Sequence, residues 1–357
     1  MTLTRARRAA LLAAAALTLT AGAAQALPSD ALPGDPALSS YKAPVSDSAV
    51  TVTPIDFTIS NQLEPGSRYV LRGFLYEPKG HEGCRTSILQ SNHALTTGAW
   101  YWDIPYEQQK YSIARKVAAS GIPFLALNKL GYGQPGHPYR ASDRPPGATV
   151  TIEALADASN QVTQQLRAKG YKHVGLIGHS AGSEESELAA GLYGGIDALV
   201  LSGFTHLATT RFTKELLVDD AVAKTGQDDY PFFFGTQKNR DSFLFTKNID
   251  PKLVQALHPL VNETPIGEID SIGPQPSRLV AGRITAPVLT LVAQDDEIFD
   301  ARGAAVDKAM FTSSRDVSFY SYEGIGHGVE FHTTGPQVTK DMVAWLKARP
   351  QAMPACS

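Results

Sequence analysis

Between residues 50 and 78 apolar and polar positions alternate, and β-branched and aromatic side chains dominate Val50-Thr-Val-Thr53 and Tyr69-Val-Leu-Arg-Gly-Phe-Leu-Tyr76. A period of two predicts a pair of antiparallel strands. Short apolar runs then recur at Ser87–Gln90, Pro123–Leu127, His173–Ile177, Ala198–Leu201, Val288–Ala293 and Val317–Tyr322. Helical spacing with few breakers fills Glu107–Ala119, Thr151–Ala168, Ser183–Tyr193 and Pro336–Ala348. Buried strands alternating with helices predict a mostly parallel central sheet with helices on both faces, an α/β fold.

One interval breaks the rhythm. Between Ser202 and Val288 lie mixed helical and loop segments, among them Thr213–Lys224, Tyr230-Pro-Phe-Phe-Phe234 and Pro251–Leu257. A compact α/β unit needs no connection of that length, so residues 204–284 read as a cap or lid inserted over one end of the sheet. The core is then 49–203 with 285–350, and 351–357 form a C-terminal tail.

Composition adds a compartment and removes several classes. With 43% hydrophobic and 19% charged residues the chain has to bury its own core, which excludes a disordered or multi-span membrane protein. Arg5, Arg7 and Arg8 precede an apolar stretch from Ala9 to about Leu17 and a closing Ala24-Gln25-Ala26, the layout of a secretory signal peptide over residues 1–26. The apolar stretch is shorter than the roughly 20 residues of a spanning helix, so no stable membrane anchor is expected. Residues 27–48 follow as a loose arm. Without the three leader arginines, 29 basic residues face 35 acidic ones, a balance with no footprint for nucleic acid. Secretion suits the two cysteines, Cys84 and Cys356, for which one disulfide is the economical expectation, with two free thiols as the alternative.

The candidate chemistry begins where the strand His173–Ile177 runs into Gly178-His179-Ser180-Ala181-Gly182 and then into a helix. In G-x-S-x-G the serine occupies a strained turn, the glycines let strand and helix approach, and the helix N-terminus favours an oxyanion. A serine hydroxyl needs a base and an orienting acid. Asp295, Asp296 and Glu297 follow the strand Val288–Ala293, and a glycine-flanked His327 follows the strand ending at Tyr322. The order serine, acid, histidine differs from that of the chymotrypsin and subtilisin types.

These motifs resemble the α/β-hydrolase superfamily from about Val50 to Leu346. The resemblance implies Ser180 as nucleophile, His327 as base and Asp296 as acid, with Asp295 the alternative. It also implies an oxyanion hole from the N–H of Ala181 and that of Leu95, in the segment Asn92-His93-Ala94-Leu95-Thr96-Thr97-Gly98, which is similar to the family's His-Gly-x-x-x-Gly but has Ala94 for a glycine. His93 is expected to be structural. Asn128-Lys-Leu-Gly131-Tyr-Gly133-Gln-Pro-Gly-His-Pro138 looks like the family's loop after its fourth strand, with Asn128 for the usual acid, and is expected to support the site.

No metal or cofactor is expected: the nine histidines form no H-E-x-x-H, and Gly131 and Gly133 form no dinucleotide fingerprint. Trp100 and Trp102 beside the oxyanion loop, with Phe233 and Phe234 in the insertion, are expected to wall an apolar substrate pocket. The functional expectation is a secreted serine esterase or lactonase for small to medium, partly hydrophobic esters. The alternatives are amide or peptide hydrolysis or acyl transfer on the same residues, or a non-catalytic ligand-binding protein.

Overall fold

A computed structural model describes residues 43–133, 144–215 and 229–356. The signal peptide, most of the predicted arm, residues 134–138 of the glycine-rich loop and residues 216–224 of the insertion lie outside the described residues.

Eight strands form one sheet: β1 (Val50–Ile59), β2 (Tyr69–Pro78), β3 (Ser87–Asn92), β4 (Phe124–Leu127), β5 (His173–His179), β6 (Ala198–Ser202), β7 (Val288–Ala293) and β8 (Val317–Tyr322). Their spatial order is β1-β2-β4-β3-β5-β6-β7-β8. β2 pairs antiparallel with β1 and with β4, and every other pairing is parallel. After β3 the chain crosses to β4 on one side, and from β5 onward it builds the other side. The loops leaving β3 and β5 therefore diverge, which opens a crevice at their C-terminal ends. Register brings the relevant ends level: Asn92 lies opposite Gly178, His179 opposite Ser202 and Ala293 opposite Tyr322.

Among the described residues the larger helices are α1 (Ile113–Ala119), α2 (Ile152–Ala168), α3 (Ala181–Tyr193), α4 (Gln237–Leu244), α5 (Pro251–Leu257), α6 (Ile266–Ile272), α7 (Gly303–Met310) and α8 (Gly335–Lys347). The helix expected from Glu107 starts only at Ile113. Glu107, Gln108 and Gln109 have φ of 43°, 54° and 62°, which a right-handed helix cannot contain. Ser112 then opens α1, its Oγ accepting from Arg115 N at 3.1 Å.

The period of two in each parallel strand feeds two cores. Val174 and Leu176 of β5 and Leu199 and Leu201 of β6 point to the face covered by Leu155, Val162 and Leu166 of α2. Ile177, Val200, Leu289 and Leu291 point to the other face, under Val117 of α1 and Val338, Met342 and Trp345 of α8. Each such buried side chain contributes roughly 1.5–3 kcal/mol of transfer free energy.

Two long-range ties complete the frame. Cys84 and Cys356 are disulfide-bonded, joining the tail to the segment before β3; beside the bond, Cys356 N donates to Gly121 O at 2.8 Å and Ser87 Oγ to Pro354 O at 2.6 Å. The stretch between β6 and β7, which carries α4 to α6, meets the sheet through a buried ion cluster. Lys129 Nζ pairs with Glu268 of α6 and lies 3.4 Å from Glu185 of α3, while Tyr132 Oη donates to Glu268 at 2.6 Å. Among the described residues no helix is long and apolar enough to cross a membrane.

Candidate active site

β5 ends at His179, α3 begins at Ala181, and Ser180 between them has φ 55° and ψ −122°. A non-glycine residue in that region costs on the order of 1–3 kcal/mol, so its surroundings must hold it there. They do so with hydrogen bonds to β6: Ser180 N donates to Ser202 O at 2.9 Å, and Ser183 Oγ donates to the same carbonyl and accepts from Ser202 N, both at 3.0 Å. The flanking glycines answer to contact. A Cβ on Gly178 would stand 2.1 Å from Gly182 O, and one on Gly182 would stand 2.1 Å from Asn92 O.

The imidazole of His327, 1% exposed, lies between Ser180 and Asp296. Its Nε2 is 2.8 Å from Ser180 Oγ and its Nδ1 is 2.9 Å from Asp296 Oδ2. The other Asp296 oxygen accepts from Ile298 N at 2.7 Å and Phe299 N at 3.0 Å, which fixes the orientation of the carboxylate. Asp295 points away, to a surface ion pair 3.4 Å from Lys247 Nζ. With Nδ1–H donating to Asp296, Nε2 is left as an acceptor facing the serine hydroxyl.

The loop after β3 is clamped from two sides. The His93 ring, wholly buried, has Nδ1 2.9 Å from Ala94 O and accepts from Lys129 N at 3.2 Å through Nε2. Asn128 Oδ1 accepts from Ala99 N at 2.7 Å, the position where the sequence departs from an acidic residue. From the insertion, Asn262 N donates to Thr96 O and Asn262 Nδ2 to Thr97 O, both at 2.8 Å. Between these clamps the amide of Leu95 donates no hydrogen bond within the described residues, and neither does that of Ala181.

Ser180 and His327 open onto a cleft with about 900 Å³ of space not filled by protein atoms, its mouth included. Leu95, Phe212, Phe233, Phe234, Phe299 and Phe331 give it a mainly apolar wall. Trp100 and Trp102 do not line it, which corrects the expectation from sequence. Both are fully buried, Trp100 stacked on Phe331 at 6.5 Å between centroids and Trp102 against Phe124 at 5.7 Å. They belong to a 3-10 turn, Ala99–Trp102, in which successive side chains leave in different directions, and the one that reaches the cleft is Tyr101 between them.

No known family profile matches the sequence, and no curated protein matches it. Solved structures do match in shape. A thermophilic esterase from Thermogutta terrifontis superposes with a TM-score of 0.61 at 17% identity, over 82% of this chain and 98% of its own. A soluble variant of monoglyceride lipase from Saccharomyces cerevisiae gives 0.61 at 15%, over 86% and 98%. An alpha/beta hydrolase fold protein from Chitinophaga pinensis gives 0.54 at 14%, over 83% and 98%. The chain has the α/β-hydrolase fold.

Within this α/β-hydrolase fold the structure adds a buried network that sequence reasoning missed. Glu330, three residues beyond His327, accepts from Tyr101 Oη and Ser202 Oγ, and His179 Nδ1 lies 3.6 Å from it. Tyr101 stacks on His179 at 4.6 Å, and His179 packs on His327 at 5.1 Å. Burial raises the Glu330 carboxyl above its usual range, raises the Tyr101 phenol well above its own, and lowers the His179 imidazole well below its own. The network backs His327 with buried, hydrogen-bonded groups. No local motif marks Glu330, because its partners come from three separate elements.

Proposed function

We propose that the chain is a secreted carboxylic ester hydrolase that cleaves small to medium, partly hydrophobic esters, lactones included, through an acyl-enzyme. The observation that carries this reading is the hydrogen-bonded chain Asp296–His327–Ser180, whose serine stands in a strained turn at the floor of an apolar cleft. Esterases and a monoglyceride lipase among structures of the same fold support the choice of ester chemistry. The leader and the disulfide support secretion.

In this mechanism Ser180 Oγ attacks the ester carbonyl carbon while His327 Nε2 takes the hydroxyl proton, and Asp296 stabilises the imidazolium through Nδ1–H. The carbonyl oxygen becomes an oxyanion held by the Leu95 and Ala181 amides at the N-terminus of α3. Collapse expels the alcohol, which receives the proton from Nε2 and leaves an acyl-Ser180. Water, deprotonated by the same nitrogen, attacks the acyl carbon and releases the acid and the serine. In a lactone the expelled hydroxyl stays attached to the acyl group. Residues 204–284 act as a cap, with Phe233 and Phe234 as its contribution to the substrate wall.

A fluorophosphonate probe tests the reading. The wild type is expected to be labelled at Ser180 and to hydrolyse 4-nitrophenyl esters, Ser180→Ala to do neither, and His327→Ala to lose several orders of magnitude in turnover with its melting temperature held. Labelling that persists in Ser180→Ala, or full turnover in His327→Ala, refutes it. Mass spectrometry of the exported protein checks for an N-terminus at Leu27.

A further inference from the structure

Among the described residues that line the mainly apolar cleft, one arginine has no part in the mechanism. Arg240 projects from α4 into the wall and is 1% exposed. Its Nε and Nη1 are buried and donate no hydrogen bond among the described residues. Among the described residues the carboxylate beside it is Asp241, whose Oδ1 lies 3.7 Å from Nη1, beyond hydrogen-bond reach, and whose Oδ2 is engaged by His258 Nε2 at 2.8 Å. The guanidinium also faces the ring of Phe245, 5.8 Å from Cζ. Burial brings Arg240 down to about 10, with Asp241 acting the other way, so it is still a cation at neutral pH. A buried guanidinium with its Nε and Nη1 donors unfilled is a costly arrangement for a fold to hold. The cost is offset when a ligand supplies an acceptor, and an ionised carboxylate, which adds opposite charge to the hydrogen bond, pairs best with a guanidinium N–H.

We propose that Arg240 binds a second, ionised carboxylate on the substrate, so that the cleft selects monoesters of dicarboxylic acids. The inference rests on the ester-hydrolase reading above and names its substrate class. One carboxyl carbon, as the ester, meets Ser180; the hydrocarbon between the two lies along the aromatic wall; the free carboxylate reaches Arg240. A neutral ester of the same length would leave the guanidinium buried and unfilled, which is the stronger form of discrimination.

The test compares two substrates that differ only at the chain end, mono(4-nitrophenyl) glutarate and 4-nitrophenyl pentanoate. Wild-type kcat/KM is expected to favour the glutarate hemiester by about tenfold to a hundredfold, the range of a charge-assisted pair. In Arg240→Met the ratio is expected to fall to about one or below, and in Arg240→Lys, which keeps charge but not the planar fork, to an intermediate value. A wild-type ratio near one, or a ratio unchanged in Arg240→Met, overturns the proposal while leaving the catalytic reading standing. A turnover-free arm uses Ser180→Ala: free glutarate is expected to raise its melting temperature, and to have no such effect on Ser180→Ala/Arg240→Met. Should neither ester be hydrolysed and no phosphonate label appear, the ester-hydrolase reading fails and this melting shift alone decides the anion site. An equal shift in both proteins overturns it. Without ligand, Arg240→Met is expected to melt no lower than wild type; a lower melting temperature together with an unchanged substrate ratio marks Arg240 as purely structural. If Arg240→Met does not fold, the ratio in Arg240→Lys decides instead, and a wild-type value there refutes the site.

Discussion

Replacing Asp296 by Asn isolates the tautomer of His327 from everything else in the site. The two backbone donors, Ile298 N at 2.7 Å and Phe299 N at 3.0 Å, point at one side-chain oxygen, and an amide can answer them only with its own oxygen. Its NH₂ group is thereby turned toward His327 Nδ1, which Asp296 Oδ2 now meets at 2.9 Å. Two donors cannot face each other, so the ring must place its proton on Nε2, where it confronts Ser180 Oγ and can no longer accept the hydroxyl proton. Loss of the base in this way costs about 10⁴ in kcat in a serine triad, or roughly 5.5 kcal/mol of transition-state stabilisation. Asp295 is a half-exposed partner of Lys247, worth about 0–1 kcal/mol, so Asp295→Asn should change kcat by less than about fivefold. Burst kinetics with a 4-nitrophenyl ester, together with the rate of phosphonate labelling, measure both variants. Because the Asn oxygen keeps the two backbone bonds, melting temperatures should stay close to wild type. A loss in Asp296→Asn below tenfold, or a larger loss in Asp295→Asn, would refute the reasoning.

Phe234→Ala should flatten the rise of kcat/KM from acetate toward medium-chain esters, a rise that reflects about 0.8 kcal/mol per buried methylene; an unchanged chain-length profile rules out the aromatic wall as its origin. The disulfide closes a loop with a sequence separation of 272, so Cys84→Ser/Cys356→Ser should lose up to about 5–6 kcal/mol on the chain-entropy model, read from urea midpoints, and an unshifted midpoint contradicts this. Burial raises Glu187 to about 8, with His206 opposing, whereas the unfolded carboxyl ionises near about 4.3. The folded state therefore keeps a proton that the unfolded state has already lost, and stability falls as pH rises between these two values, by on the order of a few kcal/mol from this group. Glu187→Gln should flatten that slope in urea midpoints taken near pH 5 and pH 8, and an identical slope in the variant sinks the assignment.

The sequence alone determined whatever depends on neighbours along the chain. Strand and helix periods, the Gly178-His179-Ser180-Ala181-Gly182 turn and the order of serine, acidic segment and histidine are local patterns, because backbone period and tight-turn geometry are set by adjacent residues. Tertiary structure decided what depends on side-chain direction and on distant elements. The motif's register favoured Asp296 over Asp295 without showing where either carboxylate points; the fold does that, since one backbone turn sends them to opposite environments, Asp296 to Ile298, Phe299 and His327 and Asp295 to Lys247. Trp100, Tyr101 and Trp102 look equivalent as an aromatic run, yet a 3-10 turn sends the tyrosine to the cleft and the tryptophans into the core. The pairing of Cys84 with Cys356, the partners of Glu330 and the burial of Arg240 each join segments far apart in sequence. A charged residue on an amphipathic helix reads as solvated until the packing of the whole chain shows which way it faces, and for Arg240 that direction is the whole of its chemistry.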